Sequence, residues 1–340
     1  MKKLLNTFYV IDESAYLSLD GETVVCSAEG KPDLKIPFAN IQNIVCFNYT
    51  GCSPALMGKC MDKGVSLAFF SPHGQFLGRV IGKSQGNVYT RVRQMDTFEA
   101  NKLTLVQDNI AAKLVNTRFL VERSLRDHPD VTGADKLRAF SAELKEKIPT
   151  IYTESDIEVL RGEEGICAKR YFDLFDILIL PKDMVFRMHG RTKHPPLDAV
   201  NAVLSFLYAV ATNEIASALE SVGLDSAIGF YHTLRPGRAS LACDLVEEVR
   251  CIVDRLVISL INLRILNDSD FEKQISGAVL LNDSGRLKVL KAWQEKKKEQ
   301  FTYSVIKEKM EYGLLPFVQA NLLAKFVRGE VGNYTPYIQR

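Results

Sequence analysis

No two cysteines in this chain stand in a Cys-x-x-Cys pair. The seven thiols fall at positions 26, 46, 52, 60, 167, 243 and 251, an odd and scattered set that fits reduced cysteines in a cytoplasmic protein and argues against a disulfide framework or a zinc site. Charge of one sign is missing too. Forty-three Lys and Arg against 41 Asp and Glu leave a formal net charge of +2, so any attraction to nucleic acid has to be local. No run of eighteen uninterrupted apolar residues occurs, which argues against a membrane span. The apolar stretch after Lys2 and Lys3 is broken at Asn6 and again at Asp12-Glu13, too early for a signal peptide.

Several catalytic signatures are absent. There is no G-x-S-x-G elbow, no G-x-G-x-x-G turn and no H-E-x-x-H helix, so α/β-hydrolase, dehydrogenase and zincin readings lose their usual support. Gly78-Arg79-Val80-Ile81-Gly82-Lys83-Ser84 is one residue short of a phosphate-binding loop and lies in a strand-then-linker context, which removes an ATPase reading. What remains is an ordinary globular composition, 46% hydrophobic and 25% charged over 340 residues, long enough for two domains.

The chain changes character near residue 85. Segments 7–12, 15–19, 22–27, 34–38, 41–47, 65–70 and 76–81 are rich in Val, Ile, Phe and Tyr and bounded by turn residues, which predicts short strands. Asp20-Gly21 predicts a hairpin between two of them. One helix interrupts the series over 55–62, with Ser53 as cap, Pro54 in its first turn and Gly64 behind it. Beyond Gln85-Gly86 the pattern turns helical, with segments near 88–126, 133–147, 156–180, 197–222, 240–266, 286–311 and 314–328. The expectation is an α+β chain: a small β domain over 1–85, then a larger all-helical domain over 86–340 that carries the active site.

An acidic residue stands in an apolar stripe. The segment at 156–180 opens on Ser155-Asp156-Ile157-Glu158, which predicts a capping box, and its stripe runs through Ile157, Leu160, Cys167, Tyr171, Leu174 and Leu178. Position 164 lies on that stripe, and it is Glu164; Glu163 is turned about 100° away toward water. A carboxylate on a buried face costs several kcal/mol unless it is paired, hydrogen-bonded or bound to a cation. Gly162 and Gly165 flank it, which makes sense if something approaches the backbone there. The alternative is an ordinary ion pair with Arg161 or with an arginine from another helix.

Gly229-Phe230-Tyr231-His232 leads into a turn-rich loop and a helix that Ser240 is placed to cap, with Asp244 and Glu247 off its apolar arc. A lone histidine and an acidic helix face usually mean surface. Taken with Glu164, they compose a mixed imidazole and carboxylate set suited to Mn²⁺ or Mg²⁺, with room for phosphate oxygens. Phosphate calls for cations. The segment 182–194 supplies Lys182, Arg187, His189, Arg191, Lys193 and His194, while Arg235 and Arg238 flank His232. A third cluster surrounds Trp293, with Arg286, Lys288, Lys291 and the run Lys296-Lys297-Lys298, for which solvated surface is the simpler reading. Asn201 and Tyr208 interrupt an apolar helix and fit a satisfied buried network.

These residues match a known pattern. Arg161-Gly162-Glu163-Glu164-Gly165 with Tyr171-Phe172, Pro195-Pro196-x-Asp198-x-x-Asn201, Gly229-Phe230-Tyr231-His232 and Ser240-Leu241-x-x-Asp244-Leu245-x-Glu247 together resemble the CRISPR-associated integrase, the first-numbered Cas adaptation protein, and most nearly its subtype I-C branch. The resemblance covers nearly the whole chain. It implies Glu164, His232 and Glu247 as metal ligands and Asp244 as a supporting acidic residue. Many members carry aspartate in place of Glu247, which leaves open whether Asp244 or Glu247 coordinates directly. It further implies a homodimer, assembly with the second-numbered Cas protein, and Mn²⁺ or Mg²⁺ as cofactor. The implied reaction inserts prespacer double-stranded DNA into a repeat array by attack of a 3′-hydroxyl on a phosphodiester. Two alternatives stand beside it: a general metal-dependent endonuclease using the same residues, and a DNA-binding scaffold whose acidic residues are structural.

Overall fold

In a computed structural model, which describes residues 6–82, 88–181 and 184–339, each of the seven predicted strands forms. They are β1 (Thr7–Val10), β2 (Tyr16–Asp20), β3 (Thr23–Ser27), β4 (Leu34–Pro37), β5 (Asn43–Cys46) and, after helix α1 (Pro54–Lys63), β6 (Ser66–Phe70) and β7 (Phe76–Val80). A three-stranded antiparallel sheet runs in the order β2-β3-β4, and a four-stranded mixed sheet in the order β1-β5-β6-β7. The cap signals read from sequence are the ones used. Ser53 accepts from the Leu56 amide, Pro54 begins α1, and Gly64 ends it in the left-handed conformation at φ 68°. Leu17, Ile44, Cys46, Leu56, Cys60 and Leu67 meet in the core below.

The β2–β3 turn departs from expectation by one residue. Asp20 pairs with Thr23, so Gly21-Glu22 form the loop, and Gly21 alone has positive φ, at 56°. Glycine first in a two-residue loop is the requirement of a II′ turn, whereas the Asp-Gly signal anticipates I′.

The helical portion comprises α2 (Val88–Ala100), α3 (Lys102–Asp127), α4 (Ala134–Ile151), α5 (Ile157–Leu174), α6 (Ala199–Ser221) and α7 (Ser240–Asn262), followed by β8 (Phe271–Lys273), β9 (Val279–Leu281), α8 (Asp283–Lys298), β10 (Gln300–Tyr303), β11 (Glu308–Glu311) and α9 (Leu315–Val327). The predicted segment 88–126 is two helices, divided at Asn101, whose side chain donates to the Thr97 carbonyl at 2.8 Å. The predicted helix 286–311 ends at Lys298. The rest is an antiparallel hairpin in which Phe301 pairs with Met310 and Lys307 takes a positive φ of 55°. Two short hairpins therefore interrupt the helical series.

By contacts between Cα atoms the chain forms two units, one of Met1–Gly86 with Leu281–Leu315, the other of Asn87–Leu280 with Pro316–Arg340. Residues 281–315, assigned from sequence to the helical domain, group with the β unit; the change of character at Gln85-Gly86 lies outside the described residues. Helix α6 is apolar and long enough to cross a membrane by length and composition, but 67% of that apolar window is buried within the fold. It packs against α7, which packs in turn on α3.

Candidate metal site

Helix α5 does not use the predicted capping box. Asp156 is its N-cap and accepts from the Glu158 amide at 2.8 Å, while the Glu158 side chain pairs with Arg161 instead of reaching back. Glu164 then falls on the inward side of α5, with its side chain 15% exposed. Its partner is not arginine. One carboxylate oxygen is bound by the ammonium of Lys113 from α3, and the other accepts from the Tyr231 hydroxyl at 3.3 Å. Arg161 turns to Tyr231, donating to its carbonyl at 2.6 Å with the guanidinium 5.7 Å from its ring centroid. Glu163 pairs loosely with Lys147 at 3.6 Å. Beyond its own helix backbone and chain neighbours, nothing described comes within 4 Å of where a Cβ would stand at Gly162 or Gly165, so the expected close approach does not come from the described residues.

The same lysine reaches α7. Lys113 Nζ lies 2.5 Å from Glu247 Oε2, and Arg250 Nη1 donates to both oxygens of Glu247, at 2.7 and 2.9 Å. Burial by itself would raise the Glu247 pKa, but Arg250 and Lys113 outweigh it and hold the carboxyl well below the usual range. Burial likewise works against the Lys113 charge, and Glu247 and Glu164 overcome it, raising the amine above its ordinary value. The Arg250 guanidinium stacks 4.4 Å from the Tyr208 centroid and 5.7 Å from that of Phe172. Asp254 accepts from Tyr171 at 3.0 Å and from Tyr208.

His232 is fixed through Asp244. Asp244 Oδ1 accepts from the His232 amide at 2.8 Å and lies 2.7 Å from His232 Nδ1; Oδ2 accepts from the amides of Phe230 at 2.8 Å and Tyr231 at 3.2 Å. One buried carboxylate thereby folds the Gly229–His232 turn around itself. Gly229 is required there, because a Cβ would lie 2.6 Å from Asp244 Oδ2 and 2.9 Å from the Ser240 carbonyl carbon. Ser240 does not cap α7. It is the first helical residue, and its hydroxyl donates to the Thr233 carbonyl at 3.3 Å. Asp244 and Glu247 are both buried, which overturns the expectation of an acidic face off the packed arc.

Glu164 and Glu247 are thus brought onto one cationic group, and His232 onto Asp244. As the side chains stand, no three His, Cys, Asp or Glu residues among those described are gathered closely enough to hold a metal ion. The donor chemistry nevertheless fits one. Two charged carboxylates already share a cation, and an imidazole engaged through Nδ1 by a carboxylate is oriented as metal-binding histidines are, with Nε2 left for a ligand.

The basic residues separate into two kinds. Arg187 is tied to Asp176 at 2.5 Å. Arg191 donates to Asn201 at 2.8 Å and Ser205 at 3.0 Å and lies over Phe172 and Tyr208. Asn201, fully buried, also donates to the Gly190 carbonyl and accepts from the Thr192 amide, while Asp198 caps α6. The Pro-Pro-x-Asp-x-x-Asn motif therefore pins the basic segment to the start of α6, and Asn201 and Tyr208 belong to a satisfied network as expected. Lys193 and Arg235 are exposed, Arg238 half-buried. Lys182 lies outside the described residues. In the Lys296-Lys297-Lys298 run only Lys298 is the expected solvated surface: Lys296 is buried over the Tyr312 ring at 4.4 Å, and Lys297 is buried and donates to Thr7.

The sequence motifs single out neither Lys113 nor Arg250 as a site residue, and Tyr231 enters only within the Gly229–His232 motif, without a role of its own. Lys113 had the same signal as Glu164, a charge among the buried positions Val106, Ile110 and Leu114 of an apolar helix face. Two opposite charges on buried faces of different helices are natural partners.

Helices α3, α5 and α7 thus carry a buried charged centre within a chain that begins as a β unit. Residues 8–295 match the family model described as CRISPR associated protein Cas1. The chain is 42% identical over its whole length to a CRISPR-associated endonuclease Cas1 of Chlorobaculum tepidum, also covered in full, and 42% identical to one of Rhodospirillum rubrum with 99% of each chain aligned. The chain belongs to the Cas1 family. Among solved structures, it superposes on a casposase bound to integration product with a TM-score of 0.82 at 20% identity, covering 98% of this chain and 95% of that one. A Cas1 protein from Thermotoga maritima gives 0.79 at 22%, covering 95% and 97%. These neighbours share the β-then-helical fold.

Proposed function

We propose that this chain is a metal-dependent DNA strand-transfer enzyme of CRISPR adaptation, with Glu164, Glu247 and His232 as metal ligands and Asp244 as the residue that positions His232. The observation that carries the reading is the convergence of Glu164 and Glu247, from helices far apart in sequence, on one cation. Glu247 shares its cation with Glu164, whereas Asp244 spends both oxygens on the Gly229–His232 turn, which favours Glu247 over Asp244 as the direct ligand. A bound Mn²⁺ or Mg²⁺ would polarise a phosphodiester and neutralise charge that develops on it.

The chain's own residues supply the remainder. Arg250 keeps Glu247 ionised and oriented, and Arg161 holds the Tyr231 backbone beside His232. Lys193, Arg235 and Arg238 offer cations to the DNA backbone, while Arg187 and Arg191, engaged within the fold, shape the segment that presents Lys193. In the reaction a DNA 3′-hydroxyl oxygen bonds to phosphorus as the bond from phosphorus to the neighbouring strand's oxygen breaks, and that oxygen takes up the proton. One phosphodiester replaces another, without ATP. Double-stranded prespacer and repeat DNA, a second copy of the chain and a Cas2 protein are the partners of this reading. The integration product bound to the casposase neighbour and the Cas6-RT-Cas1–Cas2 complex among the structural neighbours support it.

The test incubates the protein with its Cas2 partner, Mn²⁺ and prespacer DNA on a supercoiled repeat-array plasmid. Joined products that disappear in Glu164→Ala are expected; undiminished joining by that variant contradicts the reading. Cleaved products without joining would favour an endonuclease that uses water as nucleophile.

A further inference from the structure

The ammonium of Lys113 occupies the place in which a cation is shared by Glu164 and Glu247. Its side chain is 13% exposed, and it lies 2.5 Å from Glu247 Oε2 while also bound to Glu164 Oε1. The other acceptor oxygens are engaged as well: Tyr231 donates to Glu164 Oε2, and Arg250 to both oxygens of Glu247. Two carboxylates are thus balanced by one ammonium and one guanidinium, and the centre is neutral without a metal. A divalent ion held by the same two carboxylates would have to lie directly against their oxygens. That is the volume the ammonium fills, and two cations so close repel strongly in a medium of low polarity. The ion and the ammonium exclude each other. An ammonium that leaves this position at so little exposure needs another acceptor, and the group that a nucleic-acid enzyme brings to such a place is a phosphate oxygen.

We propose that Lys113 is a resident counter-cation, holding Glu164 and Glu247 together in the metal-free protein, displaced when a divalent metal binds, and then received by a phosphate of bound DNA. This rests on the reading that Glu164 and Glu247 are metal ligands. Metal and DNA then bind cooperatively, because the phosphate gives the displaced ammonium its new partner. Arg250 has no such role: its guanidinium is stacked on Tyr208 and stays with Glu247.

The experiment measures Mn²⁺ affinity of the full chain by calorimetry, without DNA, for the wild type, Lys113→Met, Lys113→Arg and Glu164→Gln. Removing a competing cation is expected to tighten Mn²⁺ binding about tenfold in Lys113→Met, as changes around a metal's ligands commonly shift affinity by such factors. Lys113→Arg is expected to stay near the wild type. Unchanged or weaker binding by a folded Lys113→Met, with Glu164→Gln still abolishing binding, overturns the counter-cation and leaves the metal site standing. Mn²⁺ binding indifferent to Glu164→Gln, or absent from the wild type, overturns both. Acetylation of wild-type lysines, read by mass spectrometry, settles the matter should Lys113→Met not fold. Lys113 is expected to react slowly in metal-free protein, faster with Mn²⁺, and slowly again with Mn²⁺ and duplex DNA together. A rate that Mn²⁺ does not raise contradicts displacement.

Discussion

Asp244 Oδ1 lies 2.7 Å from His232 Nδ1 and accepts the amide of the same histidine at 2.8 Å, so a single carboxylate oxygen sets both the backbone and the ring of His232. Asp244→Asn turns an amide donor toward amides that need an acceptor. It is expected to lower stability by about 2–4 kcal/mol and strand transfer by roughly 10–100-fold, measured by denaturant unfolding and the plasmid assay. A stable variant with full activity would contradict the positioning role.

Gly229→Ala tests the same turn from outside. Its Cβ meets Asp244 Oδ2 at 2.6 Å and the Leu241 amide nitrogen at 3.0 Å, contacts that side-chain rotation cannot relieve on the backbone side. A loss of about 2 kcal/mol is expected, whereas Gly237→Ala, with nothing within 4 Å of its Cβ but a φ of 75°, is expected to lose about 1 kcal/mol through backbone strain alone. Equal melting temperatures for Gly229→Ala and wild type would contradict this.

Glu248 should confer a pH dependence. It is buried beside Glu247 and accepts from the Tyr337 amide, the Tyr334 hydroxyl and Gln319 at 2.8–2.9 Å. Burial raises its pKa from 4.5 to about 7 despite those donors. An acid with a raised folded pKa keeps its proton longer in the folded chain than in the unfolded one, so its contribution is complete below pH 4.5 and is lost as pH rises toward 7. Relative to Glu248→Gln, the metal-free wild type is expected to lose on the order of 3 kcal/mol across that window. Stability curves that run parallel would contradict the assignment.

Asn116 fastens the segment 334–339 to α3 and α7. Its amide donates to the Glu248 and Tyr337 carbonyls at 2.9 Å, and its oxygen accepts from the Gln339 amide at 2.7 Å. Asn116→Ala removes three hydrogen bonds to buried backbone groups, for an expected cost of about 3 kcal/mol. Amide exchange should quicken at Tyr337 and Gln339 well before it does in α6; unchanged protection there would contradict the link.

Lys193 is expected to touch a DNA phosphate. Affinity should fall steeply with salt, and Lys193→Ala should reduce the slope of log affinity against log salt by about one. A slope equal to that of the wild type would remove Lys193 from the DNA path.

The β unit was legible because its signals are local. Ser53, Pro54 and Gly64 act on backbone groups within a few residues, and strand alternation needs no knowledge of the partner. Glu164 was legible for a related reason, as a charge on an apolar stripe whose period the neighbouring residues define. What completes that charge was not, since Lys113 lies 51 positions away and the spacing within α3 carries no information about α5. The hairpin at 300–311 was lost to the preceding lysines, whose helical period was extended past Lys298 although Phe301 and Tyr303 already alternate with polar residues. The buried state of Lys296 and Lys297 escaped for the same kind of reason: stacking on Tyr312 and bonding to Thr7 are tertiary events.

The central claim is that Glu164, Glu247 and His232 hold one divalent ion. Anomalous diffraction at the manganese edge, from crystals soaked in Mn²⁺, tests it directly. A single strong peak is expected about 2.1 Å from a carboxylate oxygen of Glu164 and of Glu247 and from His232 Nε2, with the Lys113 ammonium moved off both carboxylates. A peak elsewhere, or Lys113 still bridging the carboxylates with no peak beside them, would contradict it.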